Sequence, residues 1–463
     1  MCLGSLDFRK VRTIRSILDE SINDLITNHR DVLCNDPLRD FIRSRSFTPE
    51  KIIRTLLSFG SKNTESELIE IVDDPGTTGN INAAFLQQRR KFTDKCMPFL
   101  FDAFTSSLYA EQSLGLNSVL VNGYRILAAD GSDVNVAYNP NDPLTYIAKK
   151  NKKGYNQIHL NAISDIGTGL WVAASVQGIH KKQERRAFVD MLSQLHDPEK
   201  AILTADRGYE CFNTFAACIE AGAKFVIRIK DIASNGIISA YDLPDSEFDT
   251  YIHTILTNRR TKETRSDPDK YTISPFYTEF DFFDEAGEYE IEFRIVRIKL
   301  PNGEYVVLAT NLDEDEFDLN AIARIYELRW GCEVSFRKLK HSIGLVNFHS
   351  WKMEYVMQEL YARLIYHNFC AAIIHVLSPK QISIEGKSDG AKTCGAASGA
   401  RKIGIAFSQA VTECRKLIFS CTRRLIEEVI NTVRKHVQRS RAGQSVERKV
   451  KPQSNRPFGY KGS

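Results

Sequence analysis

No apolar run in this 463-residue chain approaches the length of a membrane span, and the N-terminus lacks a signal-type hydrophobic segment. The ten cysteines stand singly, with no Cys-x2-Cys pair and no Cys/His group at zinc spacing. Neither a disulfide scaffold nor a zinc module is expected, and the thiols read as reduced, several of them core, in a soluble cytoplasmic protein. An excess of one charge is lacking too: 62 Lys and Arg against 58 Asp and Glu leave a net of +4. A basic surface for nucleic acid must therefore be local. One such stretch runs from Asn431 to Ser463, with nine Lys or Arg against the single acid Glu447. It reads as a flexible basic tail able to neutralise phosphates, or as a solvated terminus.

What the chain does have is concentrated in Tyr326-Glu327-Leu328-Arg329-Trp330-Gly331-Cys332-Glu333 and its continuation to Lys340. Tyr326, Arg329, Glu333 and Lys340 return to nearly one angle of a helix with 3.6 residues per turn. Leu328, Cys332, Phe336, Leu339 and Ile343 make an apolar stripe beside them. An ordinary amphipathic helix scatters its charges over the outer face. Here a phenol, a guanidinium, a carboxylate and an ammonium border the buried side, as on the wall of an active site.

Two more carboxylates sit in related settings. Asp130 follows Ile126-Leu127-Ala128-Ala129 and precedes Gly131; Asp206 follows Ile202-Leu203-Thr204-Ala205 and precedes Arg207-Gly208. Each reads as an acid where a buried strand passes into a turn, or as an Asx turn capping a loop. Three converging carboxylates suit two hard cations such as Mg²⁺, and such a pair supports in-line displacement at a phosphodiester.

The segments Asp130-Gly131-Ser132, Lys153–Ala162, Asp206-Arg207-Gly208-Tyr209 and Tyr326–Lys340, in that order, resemble the D-D-E transposases of bacterial insertion sequences, in the branch with a Y-R-E-K helix (the IS-four family). The resemblance covers about residues 80 to 350 and departs at Cys332, where an aliphatic residue is usual. It implies that Asp130, Asp206 and Glu333 are the catalytic and metal-binding acids. Two Mg²⁺ or Mn²⁺ ions per site are implied, with Tyr326, Arg329 and Lys340 contacting DNA. Its implied activity is cleavage at element ends and joining to target DNA by phosphoryl transfer. Double-stranded DNA is the implied partner, a homodimer the implied synaptic assembly. A catalytically inactive DNA-binding regulator and a nuclease without strand transfer are the alternatives.

The organisation read from pattern is α/β. Residues 1–115 are helix-patterned and read as a helical support domain or, as the resemblance implies, a DNA-binding domain. Residues 116–230 alternate strands and helices, as in the first part of an RNase H-like core. Residues 231–312 carry the hairpin signals Glu285-Ala286-Gly287 and Pro301-Asn302-Gly303 and read as a β-rich insertion. Residues 313–378 return to the core with the Glu333 helix. Residues 379–463 are a helical region, with a Gly/Ala/Ser-rich loop over 388–399, ending in the basic tail.

Overall fold

Thr48 accepts a hydrogen bond on Oγ1 from the Lys51 amide (3.2 Å), and Pro49 takes the first helical position, so a helix starts there. It belongs to an N-terminal helical set: α1 (Leu3–Asn28), α2 (Arg30–Leu33), α3 (Pro49–Ser58), α4 (Thr64–Ile71), α5 (Ile81–Arg89) and α6 (Cys96–Ala110). The structure is a computed structural model describing residues 3–43, 45–71, 80–118, 120–274, 279–300, 303–378, 403–405, 407–435 and 437–439. The 388–399 loop and the tail beyond 439 lie outside the described residues.

Continuous buried runs joined to shorter alternating stretches then make β1 (Arg125–Val136), β3 (Lys152–Asp165) and β4 (Trp171–Gly178), with the short β2 (Tyr146–Lys149) between the first two. β3 pairs antiparallel with β1, β2 and β4. After α7 (Glu184–Leu192) comes β5 (Ala201–Ala205), parallel to β1; after α8 (Phe212–Glu220) comes β6 (Lys224–Ile229), parallel to β5. Both parallel steps cross over through a helix, as parallel neighbours require.

The next segment is β-rich, as its Tyr, Phe, Ile and Val alternation implies, and begins earlier than the hairpin signals suggest. β7 (Phe248–Thr257) precedes α9 (Lys262–Ser266), β8 (Tyr271–Ile273), β9 (Glu288–Lys299) and β10 (Tyr305–Thr310). Gly287 (φ +73°) and Gly303 (φ +87°) take the left-handed backbone at the two turns. These strands extend the same sheet: β10 pairs β6, giving the order β2-β3-β1-β5-β6-β10-β9-β7-β8, with β4 on β3.

Spacing alone predicts a single helix over Tyr326–Lys340. The chain instead forms α10 (Leu319–Leu328) and α11 (Trp330–Arg337), joined through a helical Arg329, then a π-helical turn over Lys338–Ile343. Widened turns of this kind are frequent beside functional sites. α12 (Met353–Leu377) follows, then β11 (Ile403–Ile405), α13 (Phe407–Lys416), α14 (Arg423–Lys435) and β12 (Val437–Arg439), which pairs antiparallel with β11 in a second, two-stranded sheet.

By length and hydropathy α12 passes for a membrane span, against the expectation from the sequence that no such run exists; 89% of that window is buried inside the protein. It is a core helix, apolar all round because neighbours surround it. It packs against α1, α3 and α6, so the N-terminal helices share one apolar core with the sheet. Asn368 on α12 pins β4, accepting from the Trp171 amide and donating to its carbonyl, both at 2.8 Å. The Trp171 ring meets Phe336 of α11 at 4.6 Å. The apolar side of the Glu333 helix is thereby seated on the sheet.

Candidate active site

β1 and β5 run parallel in register up to the pair Ala128–Thr204. Asp130 and Asp206 each lie two residues further on, so the two carboxylates leave neighbouring chains on one face. Asp206 directly follows β5 and caps the short helical turn Arg207–Tyr209, accepting on Oδ1 from the Gly208 amide (2.8 Å). Asp130 does not end its strand. β1 continues to Val136, and Asp130 pairs with Ala162 inside the β1–β3 ladder. The neighbouring glycine has another cause than a turn. A Cβ at Gly131 would lie 2.4 Å from His159 Nε2 and 2.9 Å from Glu184 Oε1.

Glu333 reaches the same place from α11, which packs on β1 and β3. Arg329, one turn earlier and buried, has Nη2 3.6 Å from Glu333 Oε1. Its guanidinium lies 5.6 Å from the Tyr326 ring centroid and 5.3 Å from that of Trp330. Burial pushes the Asp130 carboxyl up to about 6; the Gly131 amide and Arg329 oppose that shift, while Asp206 and Glu333 add to it. The three acids and the arginine therefore share one field. Burial lowers Arg329, but Tyr326, Asp130 and Glu333 hold it above its ordinary value.

Tyr326 and Lys340 are half-buried. Lys340 donates from Nζ to the Asp133 carbonyl (2.9 Å), and burial lowers its pKa. Cys332, where the apolar stripe departs from its usual aliphatic residue, is fully buried, and burial beside Asp130 holds its thiol well above the ordinary value.

The transposase DDE domain family matches residues 122–369, which is more than half of the chain. The chain belongs to that family. A cryo-EM structure of the piggyBac transposase synaptic complex with hairpin DNA is similar over 92% of this chain and 84% of that one, at 12% identity and a TM-score of 0.39. Comparison with curated proteins gives no match.

Within the DDE domain the structure adds a cluster that pattern reasoning missed. His159, buried on β3, has Nδ1 2.6 Å from Asp133 Oδ1 and Nε2 3.0 Å from Glu184 Oε1. Lys182 Nζ stands 3.0 Å from the same Glu184 oxygen. His159 first, then Lys182, bring Glu184 down to about 2 despite burial. Arg185 donates from Nε to the Gly208 carbonyl (3.0 Å), so the start of α7 also holds the Asp206 turn. Gly131 was the visible signal of this crowding, and it resembles an ordinary Asp-Gly turn.

Hard oxygen donors and a carboxyl raised among like charges are the donor set a divalent cation prefers. Among the described residues no three His, Cys, Asp or Glu side chains stand in a metal-holding geometry.

Proposed function

We propose that this DDE-domain protein is the transposase of a bacterial insertion sequence, of the branch with a Y-R-E-K helix. It acts in the cytoplasm, cutting double-stranded DNA at the element's ends and joining them to target DNA. The observation that carries the reading is that Asp130, Asp206 and Glu333 act on one another: burial lifts the Asp130 carboxyl to about 6, and the other two acids add to that rise. The order β4-β3-β1-β5-β6, antiparallel and then parallel, supports an RNase H-like core for the domain.

Asp130, Asp206 and Glu333 are the residues that would hold two Mg²⁺ or Mn²⁺ ions. When bound, the pair supplies positive charge at the attacking and leaving oxygens of an in-line displacement. Arg329 screens Glu333 and Asp130 in the metal-free protein and contacts a backbone phosphate in the complex, with Tyr326 and Lys340 beside it. The nucleophiles are water and then a freed 3′-hydroxyl. Cys332 and Tyr209, two nucleophilic side chains near the acids, are both buried and held protonated. A homodimer brings the two DNA ends together.

The test is cleavage of a plasmid carrying the DNA that flanks this gene, with Mg²⁺ or Mn²⁺, by wild type and Glu333→Ala. Metal-dependent cutting that disappears in the variant supports the assignment. Binding without cutting by wild type moves it to a DNA-binding regulator, and cutting without joining of tagged ends moves it to a nuclease. Light scattering that finds one protomer on paired ends removes the dimer.

A further inference from the structure

Two segments leave the acidic face in the same direction and meet again at a cleft. β1 passes from Asp130 through Val136 to Tyr138 and Asn139. From Glu333 the chain runs through Lys340, tied to β1 at Asp133, to Trp351 and the start of α12. Tyr138, Asn139, Trp351, Lys352, Met353 and Glu354 line an open cleft of about 710 Å³.

Two large aromatic side chains on this cleft face solvent: Tyr138 is 40% exposed and Trp351 61%. Aromatic rings of that size contribute most when covered, so open ones mark a surface that something else covers. Their surroundings are cationic. Lys153 Nζ sits 4.2 Å from the Tyr138 ring centroid, and Tyr138 meets Tyr146 edge-on at 6.1 Å. Both neighbours belong to the β2–β3 hairpin, whose tip Lys149-Lys150-Asn151-Lys152-Lys153 holds four lysines and no acid. Asn151, at φ +60°, makes its turn. The one acid on the cleft, Glu354, has Lys352 Nζ at 4.0 Å.

A buried amide fixes one wall of the cleft. Asn156 on β3 donates from Nδ2 to the Asn139 carbonyl (2.8 Å) and to Thr145 Oγ1 (2.9 Å), and accepts from the Asn139 amide (2.8 Å). The loop carrying Tyr138 is thus fixed to the lysine hairpin.

We propose that this cleft holds unpaired nucleotides of a DNA strand leading away from the carboxylates. Bases lie against Trp351 and Tyr138, and phosphates run along the Lys149–Lys153 hairpin. Open rings beside a cationic ridge suit unpaired bases, whose faces are free, and not a duplex, whose base faces are covered by their neighbours. The choice of DNA rests on the transposase reading; the preference for an unpaired strand rests on the cleft alone.

The experiment is fluorescence anisotropy of the full chain in EDTA. One probe is a labelled oligothymidine of about twenty nucleotides, the other a blunt duplex of random sequence. Trp351→Ala and Tyr138→Ala should each weaken oligothymidine binding about tenfold while leaving duplex binding unchanged. Replacing Lys149, Lys150, Lys152 and Lys153 with Ala should lower the salt slope by roughly 0.7 for each phosphate that is no longer neutralised. Trp351→Ala binding oligothymidine as wild type does, with an unchanged melting temperature, overturns the proposal. So does an equal weakening for both probes, which assigns the cleft to duplex. Since no metal is present, the outcome separates from catalysis. Wild type that cuts DNA but ignores oligothymidine keeps the proposed function and removes the cleft; binding without cutting does the reverse.

Discussion

Lys340 Nζ reaches the main-chain carbonyl of Asp133 at 2.9 Å and so ties the π-helical turn beyond Glu333 to the strand that carries Asp130. The two acids sit on elements far apart in sequence, and this bond closes the gap between them three residues from Asp130. An ammonium has three donors, and among the described residues one is spent here, so strap and phosphate contact are compatible roles.

Lys340→Met keeps the stem buried and removes the charge. It should cost about 1.5 kcal/mol of unfolding free energy, the low end for a hydrogen bond from a charged group. It should also lower the salt slope of duplex binding by about one, the signature of a single phosphate. Denaturant unfolding and a salt titration read the two effects separately. A drop in stability with an unchanged slope would confine Lys340 to the strap.

Gly131→Ala places a methyl group where His159 Nε2 and Glu184 Oε1 already are. Crowding of a packed interior typically costs about 1–3 kcal/mol. The displaced His159 lies beside both acid-bearing segments, so a fall in DNA cleavage of more than tenfold is expected with it. The companion His159→Ala opens the space, and the double variant should recover most of the melting temperature that Gly131→Ala alone gives up. A double variant no more stable than the single one would mean that the glycine serves the backbone and not the close approach.

Legibility follows the range of the cause. β5 and Asp206 were readable because an apolar run, an acid and a glycine within eight residues describe a strand ending in a capped turn. The same local pattern misled at Asp130, where β3, some thirty residues later, continues the ladder past the acid. Glu333 was readable from helical spacing; the π-helical turn after it was not, since Lys338–Ile343 has no residue that distinguishes it. β7 alternates over its middle as a strand should, with Ile252 and Thr254 buried between half-open or exposed neighbours, but polar side chains on its open face masked it. The His159–Glu184 pair brings together residues 25 positions apart on a strand and a helix, beyond the reach of spacing.

Asp130→Asn should stabilise the metal-free protein at pH 7.5. The folded carboxyl stands at about 6 against an ordinary value of 3.8, so its contribution is fully present below pH 4 and lost as pH rises through 6. At neutral pH the buried charge costs about 1–3 kcal/mol, which the amide does not incur. The gain should vanish at pH 4, where both side chains are neutral. Thermal melts in EDTA at the two pH values decide it, and an Asn variant less stable at pH 7.5 would show that Arg329 already compensates the charge in full. Cleavage should be abolished in either case.

A second pH dependence lies away from the acids, where the N-terminal helices meet α12. His349 Nδ1 faces Glu359 Oε2 (3.2 Å), while Nε2 faces the Lys62 carbonyl (3.0 Å) and Glu67 Oε1 (3.6 Å). Both ring nitrogens meet acceptors, which a neutral imidazole cannot satisfy. Burial pulls His349 down, Arg363 opposes its charge, and the two glutamates still raise it above 6.5. Its stabilising contribution is therefore complete below pH 6.5 and lost as pH rises through that higher value. Glu359, fully buried and paired with Arg89 at 3.0 Å, is brought down to about 2 by Arg89 and His349 despite burial. Its contribution is present above pH 4.5 and lost as pH falls through 2. Unfolding free energy should thus fall between pH 6.5 and 9. His349→Gln should be less stable than wild type at pH 6 and nearly flat across that window, while keeping the acid-side decline that Arg89 and Glu359 produce. A wild-type profile flat from pH 6.5 to 9 would mean that the imidazole is neutral in the fold and that one of its two acceptor contacts is not a hydrogen bond.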